Sequence, residues 1–211
     1  MGIQAVIFDM DGVLLDSEAA WDAAREAYTR ESGGTWRETA QKDMMGMSST
    51  EWSRYMQEEL DVPADPEQIS SDVVEKMLAQ YQEQLPLIDG AVEAVERMAQ
   101  RYDALGLASS ANRPLIDLAL RESGLERYFG ATVSSEEVER GKPAPDVYLE
   151  AARRLGVGPA EAAAVEDSHN GILSAHNAGM YVIAIPNRAF PPGDDALALA
   201  DRVLDSIEEL R

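Results

Sequence analysis

Four segments of the chain carry side chains suited to handling a phosphate. Asp9 and Asp11 stand two positions apart in Phe8-Asp9-Met10-Asp11-Gly12-Val13, and Ser109-Ser110-Ala111-Asn112 offers hydroxyls followed by backbone amides. Gly141-Lys142-Pro143 frames a lysine, and Val165-Glu166-Asp167-Ser168 adds two more acids. A hydroxyl followed by the free amides of a starting helix suits an anion. Four acids and one lysine gathered in a partly desolvated cleft cannot all stay charged without a further cation, because like charges a few ångströms apart repel. Oxygen donors in a chain with no cysteine point to a hard ion, most simply Mg²⁺. Cation, lysine, hydroxyl and amides together describe a phosphate pocket.

For these segments to meet, they must leave the same edge of a sheet. Short apolar runs at Ala5 to Phe8, Ala104 to Ala108, Ala131 to Val133, Ala162 to Val165 and Val182 to Ile185 read as buried strands. Between them, sets such as Val92, Val95, Met98 and Ala99, or Val147, Ala151 and Leu155, recur at helical spacing. That alternation predicts an α/β fold with a doubly wound, mostly parallel sheet. Ligands of such sheets bind where strands end, and each of the four segments follows a predicted strand. From Asp16 to Leu85 the alternation stops and only helical patterns remain. Residues 16–85 therefore read as an inserted all-helical domain, and residues 1–15 with 86–211 as the α/β domain.

Composition excludes several classes. The 211 residues carry 39 acids against 18 bases, a formal charge of −21. The bases are scattered singly or in pairs, so the chain repels nucleic acid and anionic membranes. Without cysteine there is no disulfide scaffold, thiolate zinc site or cysteine nucleophile. The first residues lack a cationic segment and the apolar run breaks at Asp9, no stretch approaches a membrane span, and Val6 removes the myristoylation pattern. A soluble cytoplasmic protein is expected. No pattern sets an oligomeric state, and a monomer is compatible with the sequence.

Asp9-Met10-Asp11-Gly12-Val13-Leu14-Leu15-Asp16-Ser17, Ser109, Gly141-Lys142-Pro143 and Glu166-Asp167-Ser168 resemble, in order, the four motifs of the haloacid dehalogenase superfamily. The pattern is similar to the subfamily with a helical cap after the first strand, the β-phosphoglucomutase-like and sugar-phosphate phosphatase group. The resemblance implies that Asp9 attacks phosphorus to form an aspartyl-phosphate and that Asp11 serves as acid and then base. It also implies Mg²⁺ held by Asp9, Asp167, the Asp11 carbonyl and Glu166, with Lys142, Ser109, Ser110 and Asn112 binding the phosphoryl oxygens. Asn112 is equally placed to cap the helix at Arg113-Pro114.

The inserted helices are expected to choose the substrate. Met44-Met45-Gly46-Met47-Ser48-Ser49 resembles the family's specificity loop, with Gly46 and Glu18 as candidate contacts, and Trp21 either faces the site or packs the core. His169 and His176 carry no catalytic assignment. In β-phosphoglucomutases a histidine of the first cap helix and an arginine after the loop glycine hold a bisphosphate. Counting from the motifs, those places hold Trp21 and Ser49. Without a cation there, the expected reaction is hydrolysis of a small phosphorylated metabolite, such as a sugar phosphate, with a phosphomutase as the alternative. A non-catalytic sensor would not need Asp9, Asp11, Lys142 and Asp167 together, and a dehalogenase would need neither Asp11 as an acid nor Mg²⁺.

Overall fold

The computed structural model describes residues 2–44, 47–188 and 190–211. Strand β1 (Ala5–Phe8) is followed by helices α1 (Glu18–Glu31), α2 (Ala40–Met44), α3 (Ser49–Glu59) and α4 (Pro66–Glu83). Then come α5 (Ala91–Arg101), β2 (Ala104–Ser109), α6 (Arg113–Ser123), β3 (Ala131–Ser134), α7 (Asp146–Leu155), β4 (Ala162–Glu166), α8 (His169–Asn177), β5 (Tyr181–Ala184), α9 (Asp194–Leu197) and β6 (Arg202–Val203). All strands pair in parallel in the order β3-β2-β1-β4-β5-β6.

Strand side chains alternate between two layers, as the pleat requires. Val6, Phe8, Leu105 and Leu107 face one layer with Val95, Met98, Leu115 and Ala119 of α5 and α6. Ala5, Ile7, Ala162 and Ala164 face the other with Val147, Ala151, Ile172 and Ala175 of α7 and α8. A sheet covered on both sides explains why β1 and β4 read as unbroken apolar runs up to their last residues.

Two expectations of detail change. The last predicted strand begins one residue earlier and ends one earlier, at Tyr181–Ala184, because Tyr181 pairs with Ala163 and leaves its side chain outside. A sixth strand, Arg202–Val203, was not expected: its two residues are both exposed, so it has no apolar pattern.

Helices α1 to α4 form one packed group between β1 and α5. Asp65 accepts from the Gln68 N–H at 2.9 Å and Pro66 occupies the first turn of α4, while Ser48 and Glu51 form a capping box on α3. Tyr28 on α1 donates to Asp72 on α4 at 2.8 Å, and Trp21 on α1 lies 6.0 Å from Trp52 on α3. The chain enters and leaves this group along paired connections: Asp16 N–H donates to Pro86 O at 2.8 Å and Ile88 N–H to Leu14 O at 2.9 Å. No helix among the described residues is long and apolar enough to cross a membrane.

Candidate active site

At the carboxyl ends of β1, β2 and β4 lies a cavity of about 410 Å³, roofed by α1, Met44, Met47 and the start of α3. Asp9, Asp11, Lys142 and Asp167 line its floor together with Ser110, Ala111, Asn112 and Ser168. Adjacent parallel strands bring this about: the Asp9 N–H extends the β1–β4 ladder by donating to Val165 O at 2.9 Å, so Asp9 leaves the sheet beside Glu166 and Asp167.

Lys142 is the hub of the floor. Its ammonium donates to Asp9 Oδ1 at 2.8 Å and Glu166 Oε1 at 2.6 Å, and lies 5.1 Å over the ring of Tyr148. Burial pulls the lysine down, but Asp9 and Glu166 outweigh it and hold the ammonium above the ordinary lysine range. Glu166 is fully buried and surrounded by donors. Oε1 also accepts from the Tyr148 hydroxyl at 2.8 Å, and Oε2 from the Asp167 N–H at 3.2 Å and the Ser168 hydroxyl at 3.3 Å. Oε1 positions Lys142, while Oε2 faces the start of the segment that carries Asp167.

Burial raises the Asp9 carboxyl to about 8, with Lys142 opposing and Glu166 and Asp11 adding, and raises Asp167 well above its ordinary value, with Glu166 and Asp9 contributing. Two carboxylates that resist ionisation side by side are a natural seat for a cation. Oxygens of Asp9, Glu166 and Asp167 lie within 4.8 Å of one another. The space is shaped by glycine: Gly12 has φ +80°, and a Cβ there would fall 1.9 Å from Asp167 Oδ2. A set made only of oxygens fits a hard divalent ion such as Mg²⁺.

Asp11 is half-buried at the mouth of this cluster. The Ser17 hydroxyl donates to its Oδ1 at 2.5 Å. Burial raises its pKa, with hydrogen bonds from Ser17 and Trp21 opposing. Ser109 is fully buried behind Ser110, its Oγ accepting from the Ala111 N–H at 3.0 Å and its own hydrogen left to donate. Asn112 bridges the two halves of the molecule, accepting from the Ser49 hydroxyl at 3.1 Å and donating to Glu136 at 2.6 Å. Glu18 lines the cavity and is raised by burial. Gly46 lies outside the described residues. His169 lines the cavity with Nδ1 3.9 Å from Asp195, whereas His176 is exposed on the far end of α8.

Trp21 takes both of the roles left open for it, being 7% exposed yet lining the cavity. The residues that sequence reasoning missed are Tyr148 beneath Lys142, and Arg25 in the roof. Arg25 sits one helical turn beyond Trp21, its guanidinium 4.8 Å from the Trp21 ring and 5.0 Å from that of Trp52. Trp21 and Ser49 stand where the sequence placed them, and the roof nonetheless gains a cation from the same helix face, four positions beyond Trp21. Burial pulls the guanidinium down to about 10, with Glu18, Asp22 and Asp11 opposing, so it stays charged at neutral pH.

A parallel sheet whose strand ends gather acids and a lysine beneath a group of inserted helices defines an α/β enzyme with an acidic cleft. The match to the haloacid dehalogenase-like hydrolases runs over residues 6–185, and the chain belongs to that family. It is 33% identical over 213 residues to hexitol phosphatase B of Escherichia coli (strain K12), covering 99% of this chain and 94% of that protein. It is also 33% identical over 178 residues to a phosphorylated carbohydrates phosphatase of Thermotoga maritima, covering 84% of this chain and 82% of the other. Among solved structures, CbbY from Rhodobacter sphaeroides in complex with phosphate superposes with a TM-score of 0.89 at 28% identity, covering 99% of this chain and 96% of that one.

Proposed function

We propose that the protein is a Mg²⁺-dependent phosphatase that hydrolyses a small phosphorylated metabolite, most simply a sugar phosphate, through an aspartyl-phosphate intermediate. The observation that carries the reading is the Lys142 ammonium held between Asp9 and Glu166 at the end of β1, with Asp11 two residues on. The related carbohydrate phosphatases support the substrate class.

In the first half of the reaction, a carboxylate oxygen of Asp9 attacks phosphorus in line while the bond to the leaving oxygen breaks. Asp11, whose raised pKa favours the protonated form, gives its proton to the departing alkoxide. In the second half, ionised Asp11 takes a proton from water, whose oxygen attacks phosphorus and returns Asp9 with free phosphate. Lys142 and the hydroxyls of Ser109 and Ser110 hold phosphoryl oxygens through both halves. Glu166 and Tyr148 keep the lysine aimed. Asp9 and Asp167, with the Asp11 carbonyl and with Glu166 beside them, would hold Mg²⁺, which when bound neutralises charge on the transferring group. Residues 16–85 act as a cap that opens and closes about the connections near Asp16 and Pro86, excluding bulk water during transfer.

The test is phosphate release from a panel of sugar phosphates, phosphoglycolate, glycerol phosphates and nucleotides, with Mg²⁺ and with a chelator. Release that needs Mg²⁺ and falls by at least roughly a thousandfold in Asp9→Asn is expected. Release that is unchanged in Asp9→Asn, or absent across the panel, overturns the reading. A phosphomutase is favoured by one observation, the Arg25 cation in the roof, and would isomerise a sugar phosphate with no net phosphate release.

A further inference from the structure

Between Asp16 and Gln84 there are 16 acids and only 6 bases. Three of those bases are paired: Arg30 with Glu26, Arg37 with Glu59 and Lys76 with Glu31. Of the other three, Arg25 and Lys42 line the cavity. In so acidic a neighbourhood, a cation without an ion pair is a departure that needs a cause.

Arg25 is the sharper case. It is 8% exposed, no ion pair of its guanidinium occurs among the described residues, and its Nε has no hydrogen-bond partner. Asp22, one turn earlier on α1, also leaves a buried Oδ1 without a partner, so the two side chains have not closed on each other. The faces of Trp21 and Trp52 hold the guanidinium instead. Stacking satisfies the face of the group and leaves Nε without an acceptor. A buried polar group left so is costly unless something else completes it. Arg25 lines the roof of a cavity whose floor is the phosphoryl site, so an acceptor for its guanidinium enters with the substrate.

We propose that Arg25, assisted by Lys42, binds the end of the substrate away from the transferring phosphate, and that this end carries a second oxyanion, a carboxylate or another phosphate. The inference rests on the phosphatase reading for its placement of the reacting phosphate on the floor.

Three matched pairs test it: 3-phosphoglycerate against glycerol 3-phosphate, 6-phosphogluconate against sorbitol 6-phosphate, and ribose 1,5-bisphosphate against ribose 5-phosphate. The first two ask for a carboxylate at two lengths and the third for a phosphate. Binding to the Asp9→Asn chain in Mg²⁺, measured by calorimetry, needs no turnover. In at least one pair the member with the second oxyanion binds more tightly by about tenfold or more, the range of a charge-assisted hydrogen bond. Adding Arg25→Met brings that ratio to within about threefold, and Arg25→Lys leaves it between the two. Equal binding within all three pairs, or a ratio that survives Arg25→Met, overturns the inference. Should Arg25→Met lose its cooperative melt, an undiminished ratio in Arg25→Lys overturns it equally. Phosphate release by the unaltered chain across the metabolite panel tests the phosphatase reading apart: if it is absent throughout, that reading falls, while the binding ratios still decide this one.

Discussion

The floor and the roof of the cavity are both charged, yet they are built on opposite principles. On the floor, Lys142, Asp9, Glu166 and Tyr148 are tied into one hydrogen-bonded network, and each charged member has a partner within the protein. In the roof, Arg25 is held by two indole faces and Asp22 keeps a buried oxygen unpartnered. The Lys142 network is closed before substrate binds, as electrostatic preorganisation demands of a reacting centre, and only the seat beside Asp167 awaits a cation. The roof is complete only with a partner, which suits a surface whose task is to distinguish one substrate from another. Substitutions should therefore disturb the two halves differently.

The largest effect is expected on the floor, at Gly171. A Cβ there would fall 1.9 Å from Glu166 Oε2, inside a fully buried carboxylate that cannot shift without releasing Lys142. Gly171→Ala should destabilise the chain by roughly 3–5 kcal/mol, the cost of breaking a buried charged network. Gly12→Ala adds strain at φ +80° and displaces Asp167, so Mg²⁺-dependent turnover should fall by about a hundredfold or more. Melting temperature and phosphate release check both. An Ala variant at either position with unaltered melting and rate would mean that the floor is as adaptable as the roof.

Next in size is a pH effect confined to the floor. Burial raises Asp9 from 3.8 to about 8, so between those values the folded chain keeps a proton that the unfolded chain has lost. For a raised acid the stability is full below the unfolded pKa and drains away as pH rises through the folded one. Without metal, the melting temperature should fall from pH 5 to pH 8, and by less in Asp9→Asn. The net charge of −21 also weakens the fold as pH rises, but it is nearly the same in both chains, so the difference between them isolates Asp9. Mg²⁺ binds the ionised form and should raise the melting temperature more at pH 8 than at pH 5. Parallel curves for the two chains would remove Asp9 as the titrating group.

The same contrast explains what could be read before folding. The strands β1 and β4 were legible because burial on both faces makes them unbroken apolar runs, and the floor was legible because Asp9 and Asp167 sit directly after strands and Lys142 stands between a glycine and a proline in the connection that follows β3. Tyr148 gave no signal: it is the third residue of its helix, after Asp146 and Val147, where an aromatic reads as core, and only the fold brings it beneath Glu166. Arg25 is one of 15 arginines in an amphipathic helix, where an isolated base reads as solvated surface. Its meaning comes from Trp52, 27 positions away on another helix. The edge strand β6 carries two exposed residues, too few to show a period.

A smaller effect tests how far the floor's bracing extends below the acids. Tyr148→Phe removes one of the two donors to Glu166 Oε1 while leaving Lys142 in place. The expected loss is about 1 kcal/mol of stability and a several-fold drop in kcat with KM little changed, because the lysine is less firmly aimed rather than absent. A rise in KM alone would instead assign the tyrosine to substrate binding.

The smallest effect belongs to the contact that joins the halves. The Ser49 hydroxyl at the head of α3 donates to Asn112 Oδ1 at 3.1 Å, and Asn112 in turn is held by Glu136 at 2.6 Å on the floor side. If this bond favours the closed cap, its loss costs only the net worth of one half-buried neutral hydrogen bond, about 0.5–1 kcal/mol, and Ser49→Ala should lower kcat/KM by about two- to fivefold. Asn112→Ala should cost more, since it also leaves Glu136 without that donor. In the double variant the second substitution should then add less than it does alone, with a coupling near the value of the single bond. Strict additivity of the two would show that roof and floor close without this contact, leaving the substrate itself, gripped at one end by Lys142 and at the other by Arg25, as the bond that holds them shut.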